Sequence, residues 1–572
     1  MAGHSIVCGM GDVGYRIAEL LQRLGEPVVV ITEQVLDDRK LAAEAFGVRV
    51  IQGDARSDRI LREAGVESAK TLIAATDKDL VNIEVALDGR RMQPGLPVVV
   101  RLFDQMLTRQ LETSLDIRRA LGMAALAAPS FTAKALGDGL LAGLTVKELP
   151  YVVGRQIVED DRLANCATVG DVARRHRLLS LMRERPGEER ASLPGPDEPL
   201  RSGDRLSLLG RKEDWDALFS SPKPASASDE KPPLRRRIAR FFQRGAALWL
   251  DQPRALRALF VALCLLIPVT VLIFHYYFAL SLADSLFFSI ITLHGEIGLT
   301  DSGPQIKMYE IVLMVLGSVT LATVYSMLTD FLVGSRLRKI LGGQAIPRSG
   351  HIVVVGLGRV GFRVVNELTE LGVPVVAVDV DENSSFLSSL RTKVPLVVGD
   401  ARIEETLVRA NLSKARAVVA ATDDDAVNLG VGIAAKRMNP QARTVVRLFD
   451  AGFARKVESS LGIDAALSAS RIAAPTFVAA ALYPDVVKAF IVRDRLFILL
   501  WRPAGPEWAG ARPSALRAEQ EIQILWRDGA LATPGRADDT QIDRPLAADE
   551  NVLAGLWRRL TPAWAETPSM AP

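Results

Sequence analysis

Two glycine spacings carry the first recognisable chemistry in this chain: Gly9-x-Gly11-x-x-Gly14 and Gly356-x-Gly358-x-x-Gly361. Each follows a run of β-branched residues and opens an amphipathic stretch that ends in Leu-Gly, at Leu24-Gly25 and Leu371-Gly372. Glycine at these places permits a tight turn and lets a pyrophosphate approach the first N–H groups of a helix, which favour anions. An acid about twenty positions further on would hold a ribose hydroxyl. In the second stretch that residue is Asp379; in the first the place is taken by Thr32, with Glu33 just past it. The second site therefore reads as complete. The first reads either as altered in preference or as retained for assembly. No metal signature accompanies them, because Cys8, Cys166 and Cys264 are far apart and form no CxxC pair. Cys8, inside the first glycine loop, reads as packed beside a strand end.

The elements that must position these loops occur twice. Ile6 to Thr32 returns as Val353 to Asp379, at a separation of 356 − 9 = 347 positions. One position is then lost, and three further blocks repeat in order. Gln52-Gly-Asp-Ala-Arg56 returns as Val398-Gly-Asp-Ala-Arg402, Ala74-Ala-Thr-Asp77 as Ala420-Ala-Thr-Asp423, and Arg101-Leu-Phe-Asp104 as Arg447-Leu-Phe-Asp450. A period this long marks a duplicated domain. Each block falls at the end of an apolar strand-like run, where ligands bind in open parallel sheets.

With 572 residues the chain is long enough for several domains. A formal charge of +3 is too small to argue for nucleic acid. The start, Met1 to Cys8, enters a strand almost at once and predicts no cleavable signal. Residues 258–283 and 311–329 are uncharged, the latter bracketed by Glu310 and Asp330. Each run suffices for a helix of about 30 Å, the thickness of a bilayer core. Arg235, Arg236, Arg237, Arg240 and Arg244 precede the first run, and Arg336, Arg338 and Lys339 follow the second. Positive flanks stay in the cytoplasm, which places both repeats and both termini inside and the intervening loop outside. The basic stretch before the first run reads equally as an interfacial helix on anionic lipid or as the end of the Pro/Ser-rich linker at 220–233.

Between the spans, Asp284 to Leu293 is largely apolar but too short to cross, and His294-Gly-Glu-Ile-Gly-Leu-Thr-Asp301 follows it. Irregular backbone at membrane depth is tolerated where it is buried in protein or lines a water path. Outer helix, short re-entrant helix, glycine-containing turn and inner helix together resemble the two-span potassium-channel pore. The resemblance implies four subunits around a filter formed by Thr292, Gly295, Glu296, Ile297, Gly298, Leu299 and Thr300, with Gly317 as a bending point of the inner helix or a packing glycine. It departs from the usual filter in carrying Thr300 where a second glycine stands, and glycine is what reaches positive φ. Glu296 is read either as part of a carboxylate ring or as a hydrogen-bonding group behind the filter.

With the GDAR, AATD and RLFD blocks added, the two halves resemble RCK domains, the regulators of potassium conductance. This resemblance implies two Rossmann-like doubly wound lobes, each followed by a small α+β lobe, around an α-helical membrane module. The boundaries expected are 1–128 and 129–215 for the first copy, 216–245 for a linker, 246–346 for the pore, and 347–474 and 475–572 for the second copy. The spans would lie at about 257–282 and 309–333, with the pore loop at 284–301. Within that family the nucleotide pocket of the second copy would be lined by Gly356, Gly358, Arg359, Gly361, Asp379, Asp400, Ala401, Thr422 and Asp423. In the first copy it would be lined by Gly9, Gly11, Asp12, Gly14, Thr32, Glu33, Asp54, Thr76 and Asp77. Arg447 and Arg101 would reach phosphate.

The function implied is a nucleotide-regulated cation channel in the inner membrane, a homotetramer with a cytoplasmic ring of eight RCK domains. NAD or NADH, ADP or ATP, or a cyclic dinucleotide would be the effector, and potassium the permeant monovalent cation. A non-selective or non-conducting membrane sensor is the alternative that the filter raises. A membrane-tethered NAD-dependent oxidoreductase is the alternative from enzymology, but no positioned acid or base accompanies the glycine loops. The roles of the two small lobes, effector binding or pairing, stay open.

Overall fold

The computed structural model describes residues 3–219 apart from 35–36, 104–116, 138, 147–148, 159–162, 164, 189–191 and 193. It also describes 254–293 apart from 278, the positions 307–308, 311–312, 314–315, 317–319, 322 and 325, and 344–561 apart from 493–494, 528–529, 532–545 and 548–549. The chain forms two compact units, residues 1–221 with 344–572, and residues 222–343.

In the first unit, the first copy runs β1 (Ser5–Cys8), α1 (Asp12–Arg23), β2 (Val28–Thr32), α2 (Asp37–Ala45), β3 (Arg49–Gln52), α3 (Asp58–Glu63), β4 (Thr71–Ala74), α4 (Asp79–Met92), β5 (Val98–Arg101), β6 (Arg119–Leu121) and α5 (Met123–Leu136). Its six strands are ordered β3-β2-β1-β4-β5-β6, all parallel. The order reverses between β1 and β4, and the crevice beyond their C-terminal ends is where an open sheet binds ligand. Strand β1 is buried on both faces, as parallel strands covered by helices are. Helix α1 buries Val13, Ile17, Leu20 and Leu21, the i, i+4, i+7, i+8 stripe of an amphipathic helix. It ends at Gly25, φ +79°, where the N–H groups of Gly25 and Glu26 donate back to Gln22 O and Leu21 O.

An antiparallel lobe follows, built from β7 (Leu140–Val146), β8 (Leu149–Ile157), α6 (Val169–His176), β9 (Leu179–Glu184) and β10 (Arg205–Arg211), with α7 (Lys212–Phe219) closing it. The second copy repeats the plan. Strands β11 (Ile352–Val355), β12 (Val375–Asp379), β13 (Leu396–Val398), β14 (Ala417–Ala420), β15 (Arg443–Arg447) and β16 (Ala465–Leu467) take the order β13-β12-β11-β14-β15-β16. In the second unit, α8 (Arg254–Tyr277) and α9 (Leu282–Leu293) pack together, with Phe274 buried and 6.5 Å from Phe288. Ser281 starts α9, donating to Asp284 Oδ2 at 2.7 Å and accepting from the Asp284 N–H at 3.2 Å. Among the described residues no helix is long and apolar enough to cross a membrane. The expected span at 309–333 lies largely outside the described residues.

The copies exchange helices. Helix α5 of the first copy places Ala124, Ala127, Ala128, Phe131 and Ala135 in the core on one face of the second sheet, beside Val354, Val360 and Val364. Its counterpart in the second copy, α15 (Ala469–Leu482), places Ala473, Ala474, Phe477, Val478 and Ala481 in the core with α1, β4 and β5 of the first. The other helices of the second copy are α10 (Arg359–Glu370) and α11 (Ser385–Leu390), which share the core that α5 enters, and α12 (Glu404–Arg409), α13 (Asp425–Met438) and α14 (Ala451–Leu461), which pack on the opposite face of the sheet. Pro129 and Pro475 lie inside α5 and α15, which run on past them. Phe131 and Phe477 are fully buried, each contributing on the order of 2–3 kcal/mol by leaving water. The final lobe is a five-stranded sheet of β17 (Val486–Val492), β18 (Arg495–Pro503), β19 (Ile522–Arg527), β20 (Ala530–Leu531) and β21 (Asn551–Arg559).

Candidate functional site

Sterics alone fix the glycine loops. Gly9 has φ +103° and Gly356 φ +85°, a region that side chains rarely adopt. A Cβ on Gly356 would also stand 2.8 Å from the Thr422 nitrogen. Gly14 and Gly361, each in the first turn of its helix, face the loop itself: a Cβ there would lie 1.9 Å from Gly9 O or Gly356 O. Gly11 and Gly358 are different. They cap α1 and α10, and a Cβ on either would meet nothing within 4 Å. Two glycines of each triplet are thus required by packing, and the middle one keeps open space before a helix N-terminus of twelve residues.

The strand ends diverge between the copies. Asp379 Oδ2 accepts from the Leu357 N–H in the glycine loop, and its Oδ1 accepts from the Asp381 N–H at 2.9 Å. Thr32 is buried and donates its hydroxyl to Gln34 O at 2.7 Å, while Glu33 is exposed. Immediately after the middle glycine, Asp12 accepts from Arg39 Nη2 at 2.5 Å. The same place in the second copy holds Arg359, whose guanidinium lies 3.6 Å from the centre of the Phe103 ring in the first. In both copies the GDAR carboxylate is forked by the arginine two residues on, Arg56 on Asp54 and Arg402 on Asp400. Those hydrogen bonds hold both carboxyls below the usual carboxylate range. Ala401 is turned into the core.

An asparagine locks each AATD turn. Asn82 Oδ1 accepts from the N–H and hydroxyl of Thr76 at 2.9 and 2.7 Å, and its Nδ2 donates to Thr76 O and Arg101 O at 3.0 Å each. Asn428 repeats all four bonds with Thr422 and Arg447. Asp79 and Asp425 accept the N–H of Phe103 and Phe449. Arg447 is almost fully buried and pairs with Asp423 at 2.6 Å. Burial lowers the pKa of Arg101, opposed by the nearby charges of Asp77 and Asp79. Asn82, Asn428, Arg39 and Phe103 are not among the residues expected from the sequence. The signal for the asparagines is present there, because Thr76-Asp-Lys-Asp-Leu-Val-Asn82 and Thr422-Asp-Asp-Asp-Ala-Val-Asn428 repeat well beyond AATD.

These groups converge on a cavity of about 1210 Å³. From the first copy Gly9, Gly11, Asp12, Thr32, Glu33, Thr76, Asp77 and Arg101 line it, with Arg39, Arg56 and Phe103. From the second copy Gly358, Arg359, Asp423 and Arg447 line it, with Phe386, Phe449 and Ser470. Gly14, Asp54, Gly356, Gly361, Asp379, Asp400, Ala401 and Thr422 stand outside its lining. The volume exceeds the roughly 300–1,000 Å³ of ordinary small-molecule sites. Arginine and lysine outnumber carboxylates around it, the balance a polyphosphate needs. The open middle glycines and this charge balance fit a nucleotide. Thr292 is the penultimate residue of α9, Gly317 is buried in helical backbone, and Gly295, Glu296, Ile297, Gly298, Leu299 and Thr300 lie outside the described residues.

Fold and site together define a protein built on a pair of nucleotide-type domains that share one crevice. The TrkA-N domain model matches residues 5–121 and again 352–469, so the chain carries two TrkA-N domains. Among curated proteins it is similar to Potassium channel protein 1 of Methanocaldococcus jannaschii, 27% identical over 223 residues, covering 38% of this chain and 65% of that protein. It is also similar to the Trk system potassium uptake protein TrkA homolog of Archaeoglobus fulgidus, 24% identical over 254 residues, covering 41% and 52% respectively. The chain thus spans between half and two thirds of the length of these two relatives. In fold it is similar to the solved GsuK channel, with TM-score 0.51 and 16% identity over 97% of this chain and 77% of that one. The GsuK channel bound to NAD gives TM-score 0.50 and 15% identity over the same shares.

Proposed function

We propose that this chain is a subunit of a nucleotide-regulated cation channel, with potassium as the permeant ion, in which the paired TrkA-N domains act as the cytoplasmic gate control. The observation that carries this reading is the crevice to which both glycine loops contribute. A ligand held by residues of two domains has an affinity that depends on how those domains stand together, and such differential affinity is what biases a two-state gate. The nucleotide is an effector in this proposal, not a substrate. The potassium channel and uptake proteins among the relatives support the cargo, and the NAD bound by GsuK supports the effector class.

The pore is assigned to residues 246–346 on the sequence: two spans around a re-entrant helix, four subunits, and a ring of eight TrkA-N domains on the cytoplasmic side of the inner membrane. Gly295 to Thr300 form the filter, Thr292 precedes it, and Gly317 lets the inner helix bend. The substitution of Thr300 for the usual second glycine favours a second reading, a non-conducting membrane sensor. Recording from the purified full chain in planar bilayers separates the two. Currents that change with added NAD, NADH, ADP or ATP are expected. Silence under every nucleotide eliminates the channel, and equal sodium and potassium currents eliminate potassium selectivity.

A further inference from the structure

The two sites end their second strands differently, and the difference has chemical content. In the second copy Asp379 is oriented by the glycine loop through the Leu357 N–H, the arrangement in which a carboxylate receives a ribose diol. In the first copy Thr32 offers no carboxylate and spends its hydroxyl on Gln34 O. The side chain that approaches the loop there is a cation. Arg39, from α2, donates Nη1 to Met10 O at 3.2 Å and Nη2 to Asp12 at 2.5 Å, and it lines the same cavity as Thr32. At 39 + 347 = 386 the second copy has Phe386, whose ring packs 5.0 Å from that of Phe362.

We propose that the first copy's site prefers an adenine nucleotide phosphorylated on its ribose, a 2′-phosphorylated dinucleotide over its unphosphorylated counterpart, with Arg39 as the residue that sets the preference. This rests on the nucleotide reading above. An acid at the end of the second strand repels such a phosphate, and an arginine beside that position accommodates it. A guanidinium has five donors in a planar fork; two are engaged in Arg39, which holds the group against the loop while others remain for phosphate oxygens. Arg39 keeps about 30% side-chain exposure, so a ligand can reach it. Arg56 lines the same rim but is forked onto Asp54, and Glu33 is the opposing charge there. The preference therefore belongs to Arg39.

The test is calorimetric titration of the full chain with adenosine 2′,5′-bisphosphate and with adenosine 5′-monophosphate. The bisphosphate is expected to bind about tenfold tighter or more. Arg39→Ala should bring the two affinities within about threefold of each other. Arg39→Lys should restore part of the difference. Thr32→Asp, which returns an acid to the strand end, should reverse the order and provides a second route should Arg39→Ala fail to fold. Equal affinities in the parent protein, or a preference that survives Arg39→Ala, overturn the assignment while leaving a nucleotide site in place. Absence of binding by either nucleotide removes the nucleotide reading itself.

Discussion

Thr132 Oγ1 donates to Glu367 Oε2 at 2.8 Å, a bond that runs from the crossover helix of the first copy to the glycine-loop helix of the second. Beside it Lys488, buried in β17, donates to Leu126 O at 2.9 Å and Gly143 O at 2.8 Å, again from second copy to first. The duplication places a matching junction elsewhere, and there the corresponding residues are Leu20, Val478 and Ala142, all apolar. Among the described residues Arg118 Nη1 donates to Ala481 O at 2.9 Å at this second exchange, whereas the cluster of Thr132, Glu367 and Lys488 ties the first.

That junction should respond to pH. Burial pushes the Glu367 carboxyl up to about 7, against the lowering influence of Thr132, Lys488 and Arg363; Glu370 adds to the rise. Burial likewise pushes Lys488 down to about 8, opposed by Glu367. A carboxyl whose pKa is higher in the folded state binds more protons when folded, so stability falls as pH rises from about 4.5 to about 7. A lysine whose pKa is lower in the folded state binds fewer, so stability recovers as pH rises from about 8 towards 10.5. The rise of Glu367 from 4.5 to about 7 corresponds to on the order of 3 kcal/mol. Denaturant midpoints across pH 5 to 10 should show a trough near 7 to 8. Glu367→Gln should flatten its acid side and Lys488→Met its alkaline side; a parent protein without the trough would refute this role.

The glycine triplets should split into two phenotypes. Gly361→Ala places a Cβ 1.9 Å from Gly356 O, so the loop must move, at a cost of about 1–3 kcal/mol or more. Gly358→Ala meets nothing within 4 Å and should leave stability within about 0.5 kcal/mol, yet it fills the space before the α10 N-terminus and should weaken nucleotide binding. Paired unfolding curves and calorimetry read both. Equal destabilisation by the two variants would count against the packing account.

Much of this architecture is legible in the amino-acid sequence, because its causes are local. The glycine loops, the Val13, Ile17, Leu20, Leu21 stripe and the repeated strand-end blocks each follow from neighbouring residues, and they fold as parallel strands and glycine-started helices. The helix exchange has no such cause. Helix α5 reads Met-Ala-Ala-Leu-Ala-Ala-Pro-Ser-Phe-Thr-Ala-Lys-Ala-Leu, small and apolar nearly all round, so its sequence does not say which sheet it covers. Nor could the joint crevice be read, since Arg359 meets Phe103 only because the copies face each other. Lys488 sits in an apolar strand where alternation predicts a core residue, and it is buried because two carbonyls of the other copy receive it.

Asn82 and Asn428 should prove structural supports of the site. Each is fully buried and fixes a Thr-Asp turn to the following strand by four hydrogen bonds. Asn428→Ala strands Arg447 O and the Thr422 groups, a loss of about 1–3 kcal/mol per buried group left unsatisfied. Asn428→Asp keeps the acceptor and removes both donors, so it should be no milder. The readout is the unfolding midpoint together with nucleotide affinity. A variant of normal stability and normal affinity would contradict the assignment.

Arg359 should act on the site of the other copy. Its guanidinium lies over Phe103 and lines the crevice formed largely by first-copy residues, whereas its own loop mate Asp379 lies outside that lining. A cation held on an aromatic face gains about 0.5–2 kcal/mol and is oriented by it. Arg359→Ala should therefore lower affinity for ADP and ATP more than for adenosine, by about tenfold, since only the phosphates meet the charge. Phe103→Ala, which removes the support but not the charge, should give a smaller loss in the same direction. If Asp379→Ala abolishes ADP binding while Arg359→Ala leaves it unchanged, the ligand sits wholly within the second copy's loop and the shared crevice is not where it binds.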